Sequence, residues 1–298
     1  MRYYFILVFA IMLVPFSLNS QSYRKTIKPL QSEALSPRLS ESSGLIYWEH
    51  SLWTHNDSRD IYLYSLDTSN GTIVDSIALH GIVNTDIEEI SQDENYIYLL
   101  DAGNNSGTRS DLHILKISKK SLLQRQPKID TLWFSYEDRY ELKTTTSNTS
   151  DFDCEAFIIA GDSIYLFTKQ WKQQGSKMYA LPNEVGNHTA QLRDSILNIG
   201  LLTGVVYLAE LNRLVFCGYN LNLQPFLLLL YDFEGHDFFG GSQRKIKINL
   251  PFHQIEAITS KDGKRVYLTN ETFKRAGIEV PAQWHVIDLI DLDFIPEK

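Results

Sequence analysis

The sequence predicts an all-β fold, a β-propeller of four-stranded blades, on three observations. First, a two-part phrase recurs five times. Glu41-Ser-Ser-Gly-Leu-Ile-Tyr-Trp48 leads to Leu52-Trp-Thr-His-Asn-Asp-Ser58, and Asp86-Ile-Glu-Glu-Ile90 leads to Tyr96-Ile-Tyr-Leu-Leu-Asp-Ala-Gly-Asn-Asn105. Asp153-Cys-Glu-Ala-Phe157 pairs with Ile164–Trp171, Leu201-Leu-Thr-Gly-Val205 with Leu214–Asn220, and Gln254-Ile-Glu-Ala-Ile258 with Val266–Glu271. Second, taking Gly44, Glu89, Ala156, Gly204 and Ala257 as markers, the steps are 45, 67, 48 and 53 residues. Blades of roughly 40–50 residues with loop insertions give such steps. Third, the runs are short and rich in aromatic and β-branched residues, with no sustained apolar period of 3.6.

In chain order, residues 1–20 read as a signal peptide. Arg2 gives a positive start, Phe5 to Phe16 an apolar run, and Ser17–Ser20 a small polar end. That run is shorter than the ~20 residues a membrane span needs, so the mature chain is expected to be exported, to the periplasm or outside the cell, with no span of its own. Residues 21–40 hold an orphan strand, Lys25–Leu30, and a polar connector, and residues 41–298 form the propeller. Four blades supply four strands each, but the fifth shows only Glu256–Thr259, Arg265–Thr269 and Trp284–Leu289. The orphan strand closes the ring and removes an exposed edge. Five blades are counted, or six if the long second unit hides two. Its Thr144–Ser150 stretch is low in complexity and reads as a mobile loop.

The composition, 43% hydrophobic and 21% charged with a formal net charge of −8, is globular and excludes a general nucleic-acid binder. Cys154 and Cys217 are too few for a disulfide framework. Buried free thiols fit them better than a bridge.

In a blade the start of the first strand and the end of the second share one rim. Side chains two apart share a face, so two columns follow. Glu41, Asp86, Asp153, Leu201 and Gln254 form the outer column, and Ser43, Glu88, Glu155, Thr203 and Glu256 the inner one. Six carboxylates then gather at one end of a narrow channel, where partly buried acids must be paired, hydrogen-bonded or protonated. Three partners are open to them: backbone N–H groups of a neighbouring blade, the cations Lys169, Arg59 and Arg109, or a hard cation such as Ca²⁺. Asp101, Asn104, Asn105, Asn220 and Asn270 offer that cation further oxygens. Asp57 and Glu271 join the rim, and Trp53, Trp171 and Tyr219 could stack on a flat ligand. His55 beside Asn56 and Asp57 is the candidate general base, or else the cap of a tight turn. No Gly-x-Ser-x-Gly elbow and no zinc spacing occurs.

These phrases, together with Asp101-Ala-Gly-Asn-Asn105, resemble secreted bacterial β-propellers of the TolB-like or NHL-like class over residues 35–290. More distantly the arrangement is similar to gluconolactonase/paraoxonase and phytase-like propellers. That resemblance implies calcium held by acids and asparagines near the axis, here Glu41, Asn104, Glu155 and Asn270. Leu201 and Thr203, where an acid is needed, and the charge of Lys169 depart from the pattern. The expectation is a monomer that binds a small molecule, glycan or protein at the acidic rim. The alternative is a divalent-cation-dependent hydrolase of a lactone, ester or phosphoester, with His55 or a rim acid as base.

Overall fold

The computed structural model describes residues 25–58, 60–139, 146–275 and 277–292. The expected signal segment, Arg59 and part of the Thr144–Ser150 loop lie outside these. The chain opens with β1 (Lys25–Ile27) and β2 (Gln31–Ala34). A first antiparallel unit follows: β3 (Ser42–Trp48), β4 (Ser51–Asn56), β5 (Tyr62–Leu66) and β6 (Ile73–Ala78). The second is β7 (Ile87–Gln92), β8 (Tyr96–Asp101), β9 (His113–Ser118) and β10 (Ile129–Tyr136), with a short helix, α1 (Lys119–Leu123), before β10. The third is β11 (Asp153–Ala160), β12 (Ser163–Lys169), β13 (Ser176–Pro182) and β14 (Gly186–Ile196). The fourth is β15 (Leu201–Leu208), β16 (Arg213–Tyr219), β17 (Pro225–Tyr231) and β18 (Ser242–Ile248). The fifth begins with β19 (Ile255–Ser260) and β20 (Arg265–Asn270), carries a hairpin of β21 (Phe273–Arg275) and β22 (Ile278–Val280), and continues in β23 (Gln283–Asp288).

The first strands form the inner ring, β3 against β7, β7 against β11, β11 against β15, β15 against β19 and β19 back against β3. The fold is a β-propeller. Each blade is covered on both faces, so its middle strands read as continuous apolar runs rather than as alternation. β17 shows this directly: Phe226, Leu228 and Leu230 pack in the core shared with the third blade, while Leu227 and Leu229 pack in the core shared with the fifth. A similar apolar cluster fills each of the other three blade interfaces. The outermost strands of the second and third blades also pair in parallel, Leu132 opposite Gly186 through Tyr136 opposite Ala190. This covers two edges that would otherwise be open.

An N-terminal strand closes the ring, but it is not Lys25–Leu30. β2 pairs antiparallel with β23, Gln31 opposite Val286 to Ala34 opposite Gln283, and so supplies the fourth strand of the last blade. β1 adds to the fourth blade instead, parallel to β18, and buries Ile27 there. Pro29 has no N–H to donate and breaks the strand between them. All four β2 side chains are exposed, so its place is set by backbone bonding that no apolar pattern announces. Among the described residues no helix is long and apolar enough to cross a membrane.

Candidate functional site at the channel mouth

Every inner strand carries a β-bulge at the equivalent place. The pairing register slips at Gly44 in β3, Glu88 in β7, Glu155 in β11, Thr203 in β15 and Glu256 in β19. A bulge inserts one unpaired residue and re-aims its side chain. The inner column of acids is therefore a column of bulged residues, offset by one in the first blade, where Gly44 takes the bulge beside Ser43.

Where this column carries a hydroxyl, it ties neighbouring blades together. Ser43 Oγ donates to the Glu88 carbonyl at 2.6 Å, and Thr203 Oγ1 to the Ile255 carbonyl at 2.6 Å. Two acids are latches as well. Asp153 accepts from the Asn104 N–H (2.5 Å) and from Trp171 Nε1 (2.8 Å), and Asp101 accepts from the Thr85 and Asp86 N–H groups and from Arg109. Glu89, the one large residue among the five phrase markers, lies fully buried on the axis. Its Oε1 accepts from the Ile90 N–H at 2.9 Å and its Oε2 from the Val205 N–H of the fourth blade at 3.1 Å. The Leu45 N–H of the first blade also reaches it. Gly44 and Gly204 make the room, since a Cβ on either would lie 2.9–3.1 Å from the Glu89 carboxylate. Burial pushes the Glu89 pKa well up, against the pull of these N–H groups.

The other acids face a cavity of about 170 Å³ at the mouth. Glu41 and Asp57 from the first blade line it, with Asp86 and Glu88 from the second, Glu155 from the third, and Glu256 and Glu271 from the fifth. Ser43, Gln254, Lys169, Trp171, Tyr219 and Asn105 complete the predicted residues in its wall. Glu88 is 8% exposed, and among the described residues nothing donates a hydrogen bond to its carboxylate. A Cβ on Gly103 would come within 2.2 Å of Glu88 Oε1 and 2.3 Å of Asp86 Oδ2, so both carboxylates rest against that bare α-carbon. Lys169 Nζ is 3.0 Å from Glu155 Oε1 and sits over the Trp171 and Tyr219 rings, 4.8 and 5.3 Å from their centroids.

Burial and crowding keep protons on this cluster. Burial first, then neighbouring Glu41, lifts Asp57 to about 7, and burial with Asp153 lifts Asp86 to about 6. Burial lifts Glu256 to about 8 and Glu271 to about 7, each partly offset by Lys169. Glu88 and Glu155 are also raised well above the carboxylate range by burial, Glu88 further by Glu155 and Asp86. Burial works against the Lys169 charge, but Glu155, Tyr219, Glu256 and Asp153 outweigh it and hold that ammonium protonated.

Several predicted residues lie elsewhere. His55 is buried below the cavity wall, its Nδ1 3.1 Å from the Asn56 carbonyl and its Nε2 without a partner among the described residues. Burial lowers its pKa to about 4. Asn104 is tied to Arg109 and Phe152, Asn220 closes a turn over Asn222 and Gln224, and Asn270 links Pro281 to His285. Arg109 points to Asp101 and Asp111, and Trp53 packs in the core with Trp48. The set Glu41, Asn104, Glu155 and Asn270 is thus not assembled around one point, because both amides are spent on loops. The acids that do converge are Glu88, Asp153 and Glu155, whose oxygens lie within 4.8 Å of one another. Cys154 and Cys217 are buried free thiols.

The fold and site define a β-propeller with an acid-lined channel mouth. No family model and no curated relative matches the chain. Among solved structures it is similar to the glutaminyl cyclase of Myxococcus xanthus, with 10% identity and a TM-score of 0.49 over 88% of this chain and 98% of that one. It is also similar to the hydrazine synthase of Kuenenia stuttgartiensis (11%, 0.40, 78% of this chain and 56% of that one) and to the RRP9 WD40 repeats (7%, 0.40, 85% and 96%).

Proposed function

We propose that the chain is an exported propeller, of the TolB-like or NHL-like kind, that binds a cationic ligand at its acidic mouth without need of catalysis. The observation that carries this is Glu88. It is more than nine-tenths buried, turned into the cavity and without a hydrogen-bond donor to its carboxylate among the described residues, while the acids serving as latches have their oxygens met. A buried carboxylate without partners costs stability, and a bound cation supplies the missing partner.

The convergence of Glu88, Asp153 and Glu155 is what favours the rival reading, a divalent-cation-dependent hydrolase. There His55, buried away from the cavity, is not the base, and a mouth acid such as Asp57 takes that role. Thermal unfolding separates a site from a scaffold. A ligand that binds only the folded state stabilises it by about 2.7 kcal/mol at a hundredfold excess over Kd. Wild type should be stabilised by at least one member of a panel of Ca²⁺, Mg²⁺ and a short diamine, and Glu88→Gln should lose that gain. No stabilisation by any cation would refute the proposal. Absence of ester and phosphoester hydrolysis across divalent cations would count against the rival.

A further inference from the structure

Resting on that reading, the arrangement of partners inside the mouth narrows the ligand's class. The oxygens available to a metal ion are few. Both Asp153 oxygens are engaged by N–H donors, and one Glu155 oxygen is engaged by Lys169. Of the three converging acids only Glu88 has no hydrogen-bond donor among the described residues, and a fixed ammonium stands beside the point where a divalent ion would sit. A hard cation needs six to eight oxygens around one centre. The remaining acids are instead spread around the opening, Glu41 and Asp57 on one blade, Asp86 on the next, Glu256 and Glu271 on a third. Asp57 Oδ1 is buried and, like Glu88, meets no donor among the described residues. Acceptors dispersed around a small space match a ligand carrying several N–H donors.

The aromatic wall points the same way. Lys169 already shows how this pocket holds an organic cation, with its ammonium on Glu155 and over the Trp171 and Tyr219 rings. Rings add nothing to the binding of a hydrated metal, but they do hold an alkylammonium or guanidinium and its stem. At about 170 Å³ the cavity is below the range of drug-sized sites, so it admits a head group rather than a whole large ligand. We propose that the mouth of the channel receives an alkylammonium or alkylguanidinium head group, held by Glu88 and Asp57 and covered by Trp171.

The test is calorimetric titration of the folded chain near pH 8 and at low salt with agmatine, which carries both head groups. Tetramethylammonium serves as a cation without N–H donors, and Ca²⁺ and Mg²⁺ as the metals. Agmatine is expected to bind, with affinity falling about tenfold or more in Glu88→Gln and severalfold in Trp171→Ala. Trp171→Phe, which keeps a ring, should retain most of it. Tetramethylammonium and the metals should fail to displace agmatine at similar concentration. Binding of Ca²⁺ or Mg²⁺ but not agmatine, lost in Glu88→Gln, would overturn the organic-cation assignment and leave the cation site standing. Agmatine binding that ignores both substitutions would also overturn it. Silence from every cation would sink both proposals.

Discussion

Replacing Glu89 by alanine should lower the stability of the propeller by about 3–5 kcal/mol. The side chain accepts from the N–H groups of Ile90 and Val205, which belong to two different blades, with the Leu45 N–H of a third close by. Truncation strands these donors on the axis, each at a cost of about 1–3 kcal/mol. Part of that is returned, because a carboxylate that burial holds in an unfavourable state is removed with them. Gly44 and Gly204 have no side chains to fill the space. For a chain of this size, about 2–4 °C of melting temperature per kcal/mol makes the shift roughly 10 °C. Glu89→Gln keeps the shape but turns one acceptor into a donor, so it should fall between. Urea and thermal unfolding at neutral pH read both variants. A Glu89→Ala protein within about 0.5 kcal/mol of wild type would refute the reasoning, since these N–H groups would then not depend on this side chain.

The pH profile of stability should be a dome. Burial holds His55 at about 4 and His285 at about 3, below their unfolded value of 6.5, so the stability they contribute is present above pH 6.5 and lost as pH falls through that range. The mouth acids behave oppositely. Asp57 and Glu271 at about 7 and Glu256 at about 8 lie above their unfolded values, so ligand-free stability falls as pH climbs from about 4 towards 8. The raised acids outnumber the two histidines above about pH 5, so unfolding midpoints between pH 4 and 9 should be highest near about pH 4–5 and fall towards pH 8, and a steady rise to pH 8 would contradict this. Removing residues 25–34 deletes β1 and β2 and opens the outer edges of β18 and β23, so light scattering should detect self-association that wild type does not show. The thiols should resist aromatic disulfide reagents until the protein unfolds, because burial pushes Cys154 up to about 12 and Cys217 up as well. Reductant should leave the melting temperature unchanged.

The blade repeat was legible because each inner and middle strand packs on both faces, which repeats an apolar vocabulary five times. The rim was legible because the acids keep two places in that phrase, two residues apart: Glu41 and Asp86 at the first, Glu88, Glu155 and Glu256 at the second. The bulge was not, since an inserted residue leaves no compositional mark; period-two reasoning reached the inner column without seeing why its side chains turn into the channel. Glu89 stood out only by size. Its role needs Gly44 and Gly204, 45 and 115 residues away, to be brought to the same axis. Asn104 and Asn270 show the limit of residue type: an amide that could ligate a metal serves equally to hold a loop. β2 stayed hidden because four exposed side chains carry no burial signal.

The central claim, that the mouth acids serve a ligand rather than the scaffold, is tested most directly by the stability of ligand-free Glu88→Gln near pH 8. A latch acid and a site acid give opposite signs there. The account predicts that Glu88→Gln melts higher than wild type, by about 1 kcal/mol, because it removes a buried, crowded carboxylate with no partner to lose. A variant that melts lower by the 1–3 kcal/mol of a lost hydrogen bond would contradict the account and make Glu88 part of the scaffold.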